Sequence, residues 1–123
     1  MPGEEDLSGC TVLVVEDDYF IASDTERALR EAGGQVIGPV GHEDLALTLL
    51  ETERPSCALV DINLGHGIGY RISEALQDAN VPFVFVTGYD DEEIPARFDH
   101  VERLRKPADF RQLVRTAARL CTA

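Results

Sequence analysis

Basic residues are scarce in this 123-residue chain: 11 lysines and arginines stand against 23 aspartates and glutamates, a formal charge of -12. A field of that sign repels nucleic acid and anionic membranes and favours cations or basic protein surfaces. Cysteine is sparse too. Cys10, Cys57 and Cys121 are odd in number, widely spaced and without a CxxC pair; the pattern predicts neither a disulfide framework nor a zinc site, but three small core residues in a reducing cytoplasm. No apolar run reaches the length of a transmembrane helix, and the start MPGEEDLSG is acidic where a signal peptide is basic, which predicts a cytoplasmic protein. Repeats, low-complexity tracts and linkers are absent as well, and the 44% apolar content suffices for one self-contained core.

What is present is an alternation of short β-rich runs with amphipathic stretches. TVLVV (11–15), QVIGPV (35–40), CALVD (57–61), VPFVFVTG (81–88) and VERL (101–104) read as strands. Gly38 and Pro39 mark the second as a sheet edge. Between them, Ile21 to Ala32 after a capping Asp18, Leu45 to Leu50, Ile68 to Ala79, and Phe110 to Cys121 after Asp109 carry apolar residues at helical spacing. In YDDEEIPARFDH (89–100) Pro95 permits only a short helix, so a departure from regular structure is predicted between Tyr89 and Lys106. Alternating strands and helices imply a parallel sheet covered on both faces, and five strands in this length fit a flavodoxin-like doubly wound α/β fold of order 2-1-3-4-5. The turn EDDYF after the first strand has no glycine to admit a dinucleotide.

In such a sheet, ligands bind beyond the carboxyl ends of the strands. There the sequence places Glu16 and Asp17, Asp61, Thr87 and Lys106. Carboxylates held together raise one another's pKa unless a cation intervenes, and acids without His or Cys suit Mg²⁺. Lys106 and Thr87 add an ammonium and a hydroxyl for phosphoryl oxygens, and Asp61 is the central carboxylate able to accept a phosphoryl group. His42, His66 and His100 are isolated from one another in sequence, and the acidic run 90–93 reads as a solvated helix start.

VLVVEDD, ALVDINL, FVTG and LRKP, in this order, resemble the receiver domain of two-component response regulators, over essentially the whole chain. The resemblance implies a receiver at 10–123 behind an extension at 1–9. It further implies Asp61 as phosphoacceptor, with Thr87 and Lys106 reading the phosphoryl group. Mg²⁺ would lie on Asp17, Asp61 and the main-chain carbonyl of Asn63, with Glu16 assisting through water. The implied donor is a phosphohistidine on a sensor histidine kinase or a histidine phosphotransfer protein. FVTGY, through Phe85, Thr87, Gly88 and Tyr89, also resembles the FAT GUY subgroup of stand-alone regulators linked to stress-response phosphorelays, with Tyr89 as a signal-coupling aromatic.

Two positions depart from the family pattern: Gly65 stands where receivers usually carry Pro, and Arg103 where they carry a switching Tyr or Phe. The expectation is a single-domain switch or relay intermediate, a monomer or weak homodimer. It turns over no separate substrate and performs only Mg²⁺-dependent self-phosphorylation and autodephosphorylation. A pseudo-receiver interaction module is the alternative. A phosphatase of the haloacid-dehalogenase type is a further one, although it wants an acid two residues after its nucleophile, where this chain has Asn63.

Overall fold

The structure, a computed structural model, describes residues 6–62, 70–88 and 94–122. Five strands, β1 (Thr11–Val15), β2 (Gln35–Val40), β3 (Cys57–Asp61), β4 (Phe83–Thr87) and β5 (Arg103–Arg105), form one parallel sheet of order β2-β1-β3-β4-β5. Among the described residues four helices cover it: α1 (Tyr19–Glu31), α2 (Glu43–Glu53), α3 (Arg71–Asp78) and α4 (Phe110–Cys121). This is the flavodoxin-like order that the strand pattern predicts.

The sheet separates two apolar layers because alternate residues of a strand point to opposite faces. Leu13, Val15, Ala58, Val60, Phe83 and Phe85 pack with α2 and α3 residues such as Ala46, Leu50, Ile72 and Leu76. On the other face Val12, Val14, Leu59, Val84, Val86 and Leu104 pack with Leu29, Leu113, Val114 and Ala117 of α1 and α4. Leu7, ahead of the first strand, is buried in this second layer, and its N–H donates to the Ala32 carbonyl at 2.8 Å. Every residue of β3 and β4 is buried, as their unbroken apolar runs require.

Local signals end the elements where expected. The Asp18 carboxylate accepts from the N–H groups of Phe20 and Ile21, each at 3.0 Å, and opens α1; Asp109 does the same for α4 through Arg111 N–H at 2.8 Å. Asn80, at φ 58°, closes α3 in the left-handed conformation that asparagine tolerates. Gly38, at φ +91°, breaks the β1–β2 register; an added Cβ there would lie 2.9 Å from Val40 N and 3.0 Å from the Val14 carbonyl.

The expected departure lies between β4 and β5. Among the described residues of that stretch the only helical element is a single 3-10 turn, Ala96–Phe98. Tyr89 and the acidic run 90–93 lie outside the described residues, as does Ile68 of the third predicted helix. Phe98 is fully buried against Tyr70, Phe83 and Phe85, stacked on Tyr70 at 5.6 Å between centroids. Arg97 holds the turn from outside, over the Phe98 ring at 5.1 Å, with its guanidinium 3.3 Å from Glu74 and 3.0 Å from the Gln77 side-chain oxygen on α3. β5 starts two residues later than predicted, at Arg103.

One expectation is overturned. The cysteines are not three separate core residues: Cys10 and Cys121 are joined by a disulfide, and only Cys57 is a free thiol. Spacing conceals this because topology does the pairing: α4 runs back along the sheet and returns the end of the chain to the point where β1 begins.

The aromatic cluster fixes the segment that leads into β5. Replacement of Phe98 by alanine is expected to destabilise the protein by about 3–5 kcal/mol, read as a lower urea midpoint at unchanged m; a change under 1 kcal/mol would show that the aromatic cluster is not what holds the turn.

Candidate functional site

The register brings the acids together. Val15 pairs with Val60, so Glu16 and Asp61 leave neighbouring strands side by side; Asp61 pairs with Val86, setting Thr87 on the next strand, and Thr87 pairs with Arg105, placing Lys106 beyond it. Lys106 N–H donates to the Thr87 carbonyl at 2.9 Å, and Glu16 N–H to the Val40 carbonyl at 2.8 Å, which anchors both main chains. Asp61 is 4% exposed and Thr87 2%. Asp17 is exposed at the rim. Carboxylate oxygens of Glu16, Asp17 and Asp61 lie within 4.8 Å of one another. Asn63, Gly65, His66 and Tyr89 lie outside the described residues.

The Lys106 ammonium sits between two of these acids, 2.7 Å from Glu16 Oε1 and 3.1 Å from Asp61 Oδ2. Glu16 Oε2 also accepts from the Asp18 N–H at 3.1 Å. Burial pushes the Glu16 carboxyl up to about 7; the Lys106 hydrogen bond pulls against that, and the Asp61 charge reinforces it. Burial alone would lower Lys106, but its hydrogen bond to Glu16 and the charges of Asp61 and Glu16 outweigh it and hold the ammonium above its ordinary range. One cation thus does not satisfy this much buried negative charge. The donor set, three carboxylates with no His or Cys, fits a hard divalent ion such as Mg²⁺.

One contributor to the site went unassigned in the sequence. Gly41 lets the loop after β2 pass against Asp17: a Cβ there would approach Asp17 Cα and Cβ to 3.1 Å. Its only signal is a glycine just past the second strand. Tyr19 and Phe20, the first two residues of α1, are 75% and 76% exposed and meet edge to face at 5.5 Å. Their exposure on an amphipathic helix is not readable from spacing alone. Arg103 pairs with Phe85 in the sheet, on the face that carries the aromatic cluster.

Residues 12–118 match the family model for the response regulator receiver domain. The chain is 33% identical over 95 residues to the phyllosphere-induced regulator PhyR of Methylorubrum extorquens, covering 75% of this chain and 34% of that protein. The match covers between 34% and 48% of the length of most curated regulators that the chain resembles. Among solved structures, SdrG from Sphingomonas melonis Fr1 is 30% identical with a TM-score of 0.78, covering 93% of this chain and 97% of that one. The signal receiver domain of a modulated diguanylate cyclase from Desulfovibrio desulfuricans G20 is 30% identical with a TM-score of 0.81, covering 92% and 94%.

The raised Glu16 carboxyl has a pH signature. An acid whose folded pKa lies above its ordinary value of 4.5 binds more protons folded than unfolded, so its contribution to stability falls as pH rises from about 4.5 to about 7. Metal-free Glu16→Gln is expected to lose less thermal stability than wild type between pH 5 and 8. Parallel pH profiles would show that the carboxyl ionises freely in the folded protein.

Proposed function

The chain belongs to the response regulator receiver domain family, and on that premise we propose that Asp61 accepts a phosphoryl group from a phosphohistidine. The donor is a sensor histidine kinase or a histidine phosphotransfer protein, and the domain serves as a phosphorylation switch or relay intermediate. The observation that carries this reading is the Lys106 ammonium held between Glu16 and Asp61, one strand-end away from the buried Thr87. An Asp61 carboxylate oxygen forms the bond to phosphorus as the bond to the histidine nitrogen breaks. Lys106 neutralises a phosphoryl oxygen and the Thr87 hydroxyl donates to another. Asp17, Asp61 and the Asn63 carbonyl would hold Mg²⁺, with Glu16 assisting through water, and the ion would supply positive charge for the carboxylates and the phosphoryl group.

Beyond self-phosphorylation and autodephosphorylation, no separate substrate is turned over. The receiver occupies 10–123, behind an extension at 1–9 anchored by Leu7. Its setting is the cytoplasm, as monomer or weak homodimer, and its partners are proteins rather than nucleic acid or membrane, in keeping with the charge of -12. No helix among the described residues is long and apolar enough to cross a membrane. A stress-response role rests on the FVTGY signature and on the likeness to PhyR, a Bartonella quintana form of which is described as an anti-anti-sigma factor.

Incubation with acetyl phosphate and Mg²⁺ is expected to add one phosphoryl group to the wild type and none to Asp61→Asn, read by intact-mass spectrometry. Lys106→Ala is expected to slow labelling by about 10²-fold or more, the scale of losing one electrostatic stabiliser of a transition state. Labelling that survives Asp61→Asn would remove Asp61 from the role. Absence of labelling both from acetyl phosphate and from phosphohistidine donors would favour the interaction-module reading, for which Arg103 in place of the switching aromatic is the supporting feature.

A further inference from the structure

The three sulfurs meet at the end of the sheet opposite the acids. Cys10 immediately precedes β1, Cys57 is the first residue of β3 and pairs in register with Val12, and Cys121 is the last residue of α4. All three lie within 4.8 Å of one another. Cys10 and Cys121 are bonded across a sequence separation of 111, with Cα atoms 6.0 Å apart, inside the ordinary range for a disulfide. Cys57 Sγ stands 3.5 Å from Cys121 Sγ and donates to the Ala117 carbonyl at 3.8 Å.

We propose that this triad is a thiol–disulfide lock: a low-molecular-weight disulfide of the glutathione class converts Cys10 and Cys121 into a bridge that pins the last turn of α4 to the start of β1, and the corresponding thiol releases it. The proposal is independent of the phosphoryl chemistry. Exposure orders the steps. Cys121 is partly exposed while Cys10 is 4% and Cys57 0% exposed, so exchange enters at Cys121. Its thiolate attacks the small disulfide, forming a mixed disulfide and expelling one small thiolate. Cys10 sulfur then attacks Cys121 sulfur and expels the second. Two protein thiols and one small disulfide thus become one protein disulfide and two small thiols.

Cys57, although its sulfur is in contact with that of Cys121, stays out of the bridge. It is enclosed by apolar side chains, and burial pushes its thiol up to about 12, so the attacking thiolate is scarcely present. The bond between Cys10 and Cys121 closes off the other chemistry open to three clustered sulfurs, a soft-metal trithiolate, which needs all three as thiolates. A cross-link closing so long a loop restricts the unfolded chain most, so the bridge should register as stability.

The test is to equilibrate the full chain with oxidised or reduced glutathione, trap free thiols with iodoacetamide in denaturant, and count and locate the labels by mass spectrometry. The oxidised protein is expected to carry one label, on Cys57, and the reduced protein three, with the oxidised form melting several degrees higher. Cys57→Ser is expected to keep the bridge, and Cys121→Ser to abolish the redox-dependent melting shift. A bridge that includes Cys57, a persistent glutathione adduct, or a disulfide-linked dimer in place of the internal bond would overturn the proposal. So would reduced protein that retains one equivalent of Zn²⁺ or Cu⁺ through dialysis, which would make the triad a metal site. The label count on wild type decides the matter even if the Cys121 variant does not fold.

Discussion

The arrangement at the carboxyl edge of the sheet depends on one lysine shared between two buried acids. Without Lys106, the repulsion between Glu16 and Asp61 on adjacent strands would lack its cation, and buried charge left without a counterion costs several kcal/mol per ion even after relaxation. With it, the acids are held in place but not satisfied, which is why the Glu16 carboxyl still rises to about 7. Stability and chemistry pull in opposite directions here: the same excess of oxygen donors that burdens the resting fold makes it receptive to a hard cation and an incoming phosphoryl group. The fold supports this by burying β3 and β4 throughout, so that Asp61 and Thr87 ride on strands that have no freedom to drift.

Much of this was legible in the chain before any coordinates. Unbroken apolar runs ending in an acid mark buried parallel strands, and the strand order then dictates that residues 17 and 61 become neighbours. Asp18 marked the start of α1 as its cap, and Asp109 stood near the start of α4. The less legible parts have physical reasons. Residues 101–104 hold too few apolar positions to fix a strand's register, and Glu102 supplies its carbonyl to Phe85 N–H from just outside β5. The short turn at Ala96–Phe98 was foreshadowed by Pro95, but the aromatic cluster around Phe98 involves Tyr70 and Phe83, distant in sequence. Gly41 gave no chemical hint, because its role lies in what it lacks.

The cysteines illustrate a different kind of blindness. Motif spacing detects metal and disulfide sites built on one local segment, whereas Cys10, Cys57 and Cys121 belong to three elements joined only by the winding of the chain. An alternating α/β order predicts that the first strand and the last helix are packed together, but not that their outermost residues coincide. The carboxylate pocket was found because all its members could be assigned to one end of the sheet; the same bookkeeping at the other end would have placed Cys10 and Cys57 together, with only the length of α4 left to settle.

The Gly38–Pro39 bulge has a consequence at the scale of many molecules. An open sheet offers two margins on which a foreign strand could be templated. Here one margin is β2, where Pro39 has no N–H to donate and Gly38 turns the backbone out of register. The other is β5, three residues long and bearing Arg103 and Arg105. Both margins are thus blunted as templates for a growing ladder, which disfavours edge-to-edge aggregation at high concentration.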